Sequence, residues 1–426
     1  MLTKRRVLVA ATATASVFAL VVGWTAANAD PAPTPAPDRG LYSVSGADDV
    51  ATRTDVANSG VDVLGARDGA MEIVASPAQA EALRGDGLAL QLTGDFDKLL
   101  KERSGGVSTK DAADFPAGDE NYHTYDEMVA EINQAKTDHG DIVSIGSIGQ
   151  SYEGRDMPIV KISDNVGTDE DEPEVLFTCN MHAREHLTLE MCLHIVARFT
   201  DGYGTDQGVT DAVNGKEIWV VPSQNPDGAE FDIQGGQYQG QRKNMQPNDD
   251  GSVGTDTNRN FDYKWGCCGG SSDSPSDETY RGASAASAPE VQNVQNWVNS
   301  RVVGGTQQLK GHIDFHTFSE LVMWPFGHTD DQVTDGMTQE EYDRFVQVGE
   351  AMAGTNGYTP EQSSALYITD GDITDWMWGQ ARVFTFVFEM YPSDGGIDGF
   401  YPPDEVIPEQ TTRNDGAVDI LLQNAT

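Results

Sequence analysis

A chain of 426 residues exceeds most single domains and can bury a sizeable core, so one large domain with a smaller appendage is expected. Asp and Glu number 68 against 27 Lys and Arg, for a formal net charge of -41. Such a polyanion repels phosphate backbones and anionic lipid, which argues against nucleic-acid and membrane-surface roles and suits an exported protein or one that binds divalent cations.

Lys4, Arg5 and Arg6 precede an apolar stretch from Val7 to Val22, and Ala27-Asn28-Ala29 matches a small-residue cleavage site. Residues 1–29 therefore read as a signal peptide, too short in its apolar part for a retained anchor, and the mature protein is expected outside the cell. Sec and twin-arginine export both remain open. The four cysteines permit disulfides in that compartment, but the adjacent Cys267 and Cys268 and the pair Cys179 and Cys192 leave the pairing unassigned.

Pro31, Pro33, Pro35 and Pro37 form a stiff spacer. Next, Val61 and Val63 alternate with polar neighbours, Asp68-Gly69 offers a turn, Met71 and Ile73 alternate, Pro77 to Leu83 is helical in pattern, and Leu88, Leu90 and Leu92 alternate again. The expected order is strand, strand, helix, strand. Lys98 to Ala113 is polar, contains Ser104-Gly105-Gly106 and reads as an exposed linker open to proteolysis. Residues 30–113 are thus expected to be a small α+β prosegment that an activating protease removes; a permanent N-terminal domain is the alternative.

From Asp114 to the C-terminus helical and strand signals alternate, giving an α/β domain over 114–426. Thr124 and Glu127 make a capping box, and Met128 and Ile132 recur four apart. Leu187, Met191, Ile195 and Phe199 mark a buried helical face. Glu174 to Thr178, Ile218 to Val221, Ile313 to Phe315 and Phe384 to Phe388 are short apolar runs typical of buried central strands. His182 and Glu185 follow the first of these, Asn225-Pro226-Asp227 the second, His316 closes the third and Glu389 the fourth. In open α/β sheets ligands bind outside the carboxyl ends of the strands. Two imidazoles and a carboxylate are the usual protein ligands of a catalytic zinc, and a further carboxylate free of the metal can move protons.

His182-Ala183-Arg184-Glu185-His186, Gln241-Arg242-Lys243-Asn244, Asn258-Arg259-Asn260, Asp314-Phe315-His316-Thr317, Tyr367-Ile368-Thr369-Asp370-Gly371-Asp372 and Phe386-Val387-Phe388-Glu389-Met390-Tyr391-Pro392 occur in that order. Together they resemble the zinc metallocarboxypeptidases of the carboxypeptidase A and B type, most closely the bacterial carboxypeptidase T-like members, from about Asp114 onward. The resemblance implies a mixed central sheet flanked by helices and one zinc per chain, held by His182, Glu185 and His316. It implies Glu389 as general base, Arg242 as the stabiliser of the oxyanion, Asn258 and Arg259 as the clamp on a free C-terminal carboxylate, and Tyr367 as the residue that covers it. Arg184 is a further candidate substrate contact.

Asp372 and Thr374 fall where the family lines the pocket for the terminal side chain, which implies a broad preference for apolar and some basic residues. Thr317-Phe318 departs from the Ser-Tyr pair of the pancreatic enzymes, so the outer subsites are not transferred. Asp164, Asp169, Glu170, Asp171, Glu172 and Glu174 crowd one loop; Asp164, Asp169, Glu170, Glu172 and Glu174 are candidate ligands of a structural calcium, against the alternative of a solvated loop. The expected partners are peptide or protein C-termini and an activating protease, with a monomer as the working unit. Two other readings are a related zinc amidase of cell-wall peptides, which would lack the clamp, and a calcium-stabilised binding protein, which would not need Glu389.

Overall fold

A computed structural model describes residues 37–67, 69–105 and 114–426. The signal peptide, most of the proline spacer, Asp68 of the expected turn and positions 106–113 of the expected linker lie outside the described residues.

The appendage contains two elements beyond the expected pattern. Its order is β1 (Gly40–Ser45), a helix (Val50–Asn58), β2 (Asp62–Arg67), β3 (Ala70–Ala75), a helix (Pro77–Gly85) and β4 (Ala89–Asp95). This β-α-β-β-α-β unit forms an antiparallel sheet in the order β2-β3-β1-β4. The first strand escapes a period-2 reading because it is buried on both faces: Tyr42 and Val44 pack with Met71, Ile73 and Leu83 inside the unit, while Leu41 joins Leu64 and Val74 in the core of the large domain. The first helix buries only Thr54, Val56 and Ala57, so its sequence shows no apolar stripe.

The expected linker is corrected in its first part. Phe96–Arg103 is a helix whose N-cap, Asp95, accepts the Lys98 N–H at 3.1 Å, and Phe96 and Leu100, four apart, are buried. Arg103 lies 2.7 Å from the buried carboxylate of Asp119 and donates its Nε–H to the Tyr401 carbonyl at 2.7 Å. A segment tied down this way is docked, not a free tether.

The large domain is built on an eight-stranded sheet. Its strands are β5 (Val143–Gln150), β6 (Asp156–Ile162), β7 (Glu174–Cys179), β8 (Glu217–Val221), β11 (Leu309–Thr317), β12 (Leu321–Trp324), β13 (Thr359–Gln362) and β14 (Phe384–Met390); β9 (Val302–Val303) and β10 (Thr306–Gln307) form a separate hairpin. The order β13-β12-β14-β11-β7-β8-β6-β5 is mixed: β14, β11, β7 and β8 run parallel, while β12 opposes β14 and β6 opposes both β8 and β5. The four parallel strands are the four apolar runs of the sequence, covered by core on both faces.

The helix His186–Gly202 follows β7 and buries Leu187, Met191, Ile195 and Phe199 completely. Each such side chain contributes about 1.5–3 kcal/mol relative to exposure, enough to fix the helix against the sheet and with it the turn at residues 180–185. A disulfide joins Cys179 at the end of β7 to Cys192 in this helix, and a second joins the neighbours Cys267 and Cys268. The capping box is present, with Thr124 accepting from the Glu127 N–H and the Glu127 carboxylate from the Thr124 N–H. Among the described residues no helix is long and apolar enough to cross a membrane.

Candidate active site

The carboxyl ends of β7, β11 and β14 bring His182, Glu185, His316 and Glu389 together. His182 and Glu185 lie on the tight turn between β7 and its helix, and His316 is the penultimate residue of β11. The first three are buried, and their ligand atoms lie within 4.8 Å of one another. Nδ1 of His182 is 2.8 Å from Oε1 of Glu185, Nδ1 of His316 is 3.0 Å from Oε2, and the two Nδ1 atoms are 3.1 Å apart. Tetrahedral ligands at the usual zinc distance of about 2.0–2.1 Å sit about 3.3 Å from one another, so the set fits zinc. The far imidazole nitrogens meet carboxylates: His182 Nε2 is 3.3 Å from Asp256 and His316 Nε2 is 2.6 Å from Asp314. Such partners hold the rings and raise their basicity as ligands.

Glu389 stands beside this group without joining it. It is directly opposite His316 in the parallel pairing of β11 and β14, and its Oε2 is buried with no hydrogen-bond partner. Burial pushes its carboxyl up to about 8, the nearby charge of Glu185 adding to the rise while His316 and Arg242 oppose it. A carboxyl oxygen left uncommitted beside the metal-ligand group is free to hydrogen-bond a molecule bound there.

One cavity is lined by His182, Glu185, Glu389, Arg242, Asn258, Arg259, Tyr367, Asp372 and Thr374. Arg242 donates from Nε and Nη2 to Asp256 Oδ2 at 3.2 and 2.9 Å, with Nη1 3.4 Å from His182 Nδ1. Burial works against the Asp256 charge, but Arg242 and His182 hold its carboxyl well below the usual carboxylate range. Asp256 thus fixes a metal ligand and a cationic side chain at once. Sequence reasoning passed over it and over the role of Asp314; the latter was detectable, because i and i+2 on a strand share a face with His316. The Asn258 Oδ1 accepts the Ile373 N–H at 3.0 Å, which leaves its NH2 as the group it can offer a carboxylate. Arg259 donates Nε–H to the Gly270 carbonyl at 3.0 Å and Nη1–H to the Asn258 carbonyl at 2.7 Å.

The specificity assignment changes in character. Asp372 is not a free acid at a pocket wall: it caps the helix Ile373–Gly379, accepting the Asp375 N–H at 2.8 Å, and its other oxygen accepts the Thr369 hydroxyl at 2.8 Å. Burial, reinforced by the Asp375 charge, pushes it up to about 7. Thr374, two residues along, is buried and lines the same cavity.

In the intact chain Arg184 is engaged by the appendage. Its guanidinium is buried away from the cavity lining, bound by both oxygens of Asp62 from β2 at 2.6 and 2.8 Å and lying 3.9 Å over the Phe400 ring. Val63, Leu64 and Gly65 of the same strand line the cavity itself. The helix Val50–Asn58 holds the Tyr367 loop as well: Arg53 donates to the Ala365 and Leu366 carbonyls, both at 2.6 Å, and the Thr54 hydroxyl accepts the Ile368 N–H at 3.0 Å.

The acidic loop splits in two. Asp164, Glu170 and Glu172 form one group and Asp169, Glu174 and Glu217 another. The second group already has its cations, Arg301 on Glu174 and Asp169 at 2.6 and 2.8 Å and Lys161 on Glu217 at 2.6 Å, so Asp169 and Glu174 are removed from the candidate calcium ligands. Among the described residues no ion pair is made to the first group, although the Lys216 charge lies near Glu172, and Oε2 of Glu170 and of Glu172 is buried without a partner. Burial, with the charges of Glu170 and Asp164, pushes the Glu172 carboxyl up.

Comparison with known proteins decides the family. The zinc carboxypeptidase family model matches residues 128–415, which span the metal-ligand group, Glu389, Arg242, Asn258, Arg259 and Tyr367. The chain belongs to the zinc carboxypeptidase family. A zinc carboxypeptidase of Saccharothrix mutabilis subsp. capreolus is 48% identical over 423 residues, covering 98% of this chain and 96% of the relative. Carboxypeptidase A2 of Rattus norvegicus is 29% identical over 291 residues, covering 68% and 67%. Among solved structures, carboxypeptidase A of Helicoverpa armigera superposes with a TM-score of 0.75 at 21% identity, over 91% of this chain and 98% of that one, which shows the shared fold. This metallocarboxypeptidase therefore takes zinc as its family does, and peptide C-termini are its substrates.

Proposed function

We propose that this zinc carboxypeptidase is exported and latent, removes single residues from free peptide C-termini once its N-terminal unit is released, and uses Glu389 as general base. The observation that carries the reading is that a cationic clamp, an orphaned carboxylate and His182 and Glu185 of the three-ligand set line one cavity. His182, Glu185 and His316 would hold the zinc, which when bound lends Lewis acidity to a water and to the scissile carbonyl. Arg259 and the Asn258 NH2 grip the terminal carboxylate with charge-assisted hydrogen bonds. Glu389 accepts a proton from the attacking water and returns it to the leaving amine. Arg242, held by Asp256, meets the charge developing on the carbonyl oxygen.

Apolar termini suit the Thr374 wall, and basic ones suit an ionised Asp372. Latency is supported by β2, which supplies Val63, Leu64 and Gly65 to the cavity and Asp62 to Arg184, so the appendage occupies the route a substrate would take. The Lys4 to Ala29 export pattern and two disulfides among the described residues favour an oxidising compartment outside the cell. Asp164, Glu170 and Glu172 are the residues that would take a structural calcium.

The test compares a peptide with its C-terminally amidated twin, using clipped, zinc-loaded protein. Trimming of the free peptide and near-complete protection of the amide supports the exopeptidase; equal rates on both would refute the clamp and favour an endo-acting enzyme.

A further inference from the structure

The buried carboxylate of Asp370 has no part in the chemistry described so far, yet it is fully enclosed between the two segments that carry the clamp and the cover. It accepts the Cys268 and Gly270 N–H groups at 2.9 and 3.0 Å on Oδ2 and the Ser271 hydroxyl on Oδ1. Three donors on one buried carboxylate make a strong, directional junction. Gly270, one of those donors, offers its own carbonyl to Arg259 Nε at 3.0 Å. Asp370 is therefore one residue removed from the hydrogen bond that aims the guanidinium.

The junction is close-packed as well as polar. A Cβ on Gly270 would meet the Thr369 and Asp370 backbone at 2.4–2.6 Å, so only glycine lets the two segments touch. Gly371, at φ +68°, lies against the Arg259 carbonyl, where a Cβ would come within 2.6 Å, and its own carbonyl accepts the Phe261 N–H at 2.9 Å. On the far side, Thr369 N–H reaches the Gly327 carbonyl at 3.0 Å. The Cys267–Cys268 disulfide closes an eight-membered ring that includes their peptide bond, which restricts the backbone delivering the Cys268 N–H. Tyr367 stands three residues before Asp370 on the same loop.

We propose that Asp370 is a positioning residue that sets the carboxylate clamp: through Cys268, Gly270 and Ser271 it fixes the carbonyl on which Arg259 rests and ties it to the loop bearing Tyr367. The proposal rests on the reading of Arg259 as the clamp. It assigns recognition of the terminal carboxylate a third participant that never touches it.

The experiment is a double-mutant cycle of Asp370→Asn and Arg259→Ala in the clipped, zinc-loaded enzyme, with kcat and KM measured on a free peptide and its amidated twin, and zinc content recorded for each protein. The expected result for Asp370→Asn is full zinc occupancy, a fall in kcat/KM of about tenfold or more on the free peptide carried mainly by KM, and little change on the amide. In the Arg259→Ala background the same substitution should add almost nothing. Additive losses, or equal losses on both peptides, would overturn the proposal and leave Asp370 a fold residue. If the Arg259→Ala enzyme still prefers the free peptide over its amidated twin as strongly as wild type does, the clamp reading has failed instead. Should Asp370→Asn not accumulate as folded, zinc-loaded protein, Ser271→Ala removes one of the three donors and takes its place in the cycle: a KM-borne loss that vanishes without Arg259 supports the proposal, and an additive loss overturns it.

Discussion

Asp62 and Arg184 form a buried, bidentate ion pair, Nη1 to Oδ2 at 2.6 Å and Nη2 to Oδ1 at 2.8 Å, across 122 residues of sequence. Removing one partner of a buried pair leaves an uncompensated charge, at a cost of about 3–5 kcal/mol. Asp62→Ala should therefore loosen the appendage, because Arg184 regains water only when β2 lifts away. We expect uncut Asp62→Ala protein, verified intact by mass, to turn over a short peptide well above uncut wild type and to be clipped faster by trypsin. Unchanged latency would show that the pair is dispensable for holding the appendage in place.

Glu389→Gln removes the proton acceptor and none of the metal ligands. The expected loss in kcat is about 10²- to 10⁴-fold with zinc stoichiometry retained. Retained turnover, measured in the clipped enzyme beside its zinc content, would remove Glu389 from the base role.

Asp256 and Asp314 orient the two imidazoles from behind. Asp256→Asn and Asp314→Asn should weaken zinc about 10- to 100-fold, read by chelator competition. Asp256→Asn should also lower kcat in excess zinc, because Arg242 loses the anion that fixes it, whereas zinc excess should restore more of the Asp314→Asn activity.

If Asp372 faces the terminal side chain, the preference of the enzyme should depend on pH. With its carboxyl pushed up to about 7 by burial and by Asp375, it is neutral in mild acid and charged in mild base. The ratio of kcat/KM for a C-terminal lysine over a leucine should rise between about pH 6 and pH 8 and flatten in Asp372→Asn. The same group contributes stability that is fully present below the unfolded value near 4 and lost as pH rises through about 7, because the folded state binds the extra proton. Wild type should therefore lose more thermal stability than Asp372→Asn over that window.

If Asp164, Glu170 and Glu172 take calcium, the cation relieves their mutual repulsion and binds only the folded chain. A hundredfold excess over the dissociation constant should raise the melting temperature by about 5 °C, and Glu172→Gln should abolish most of the rise. Identical melting curves in chelator and in millimolar calcium would leave a solvated loop.

The reactive centre was legible because each of its four residues closes or closely follows an apolar strand, and the ends of three such strands, β7, β11 and β14, converge by topology. Asp256 was not, since it sits in an irregular loop and is one acid among 68. Its importance arises from two contacts, His182 and Arg242, that are 74 and 14 residues away. The helix Phe96–Arg103 carried a faint signal in the spacing of Phe96 and Leu100, outweighed by its charged neighbours and the Gly105-Gly106 that follows. The pairing of Arg184 was not legible because its neighbours in sequence belong to the metal site, whereas its partner belongs to another sheet. Pairings between domains leave no periodicity to read.

His316 and Glu389 occupy the same rung of the β11–β14 ladder, so their spacing is the roughly 4.8 Å that backbone hydrogen bonding imposes on neighbouring strands. Loops around them are free to lengthen or shorten without touching it. A single-residue deletion inside β14 upstream of Glu389 is another matter, since one step of register turns every later side chain to the opposite face. Such a deletion would turn Glu389 away from His316 and from the metal-ligand group.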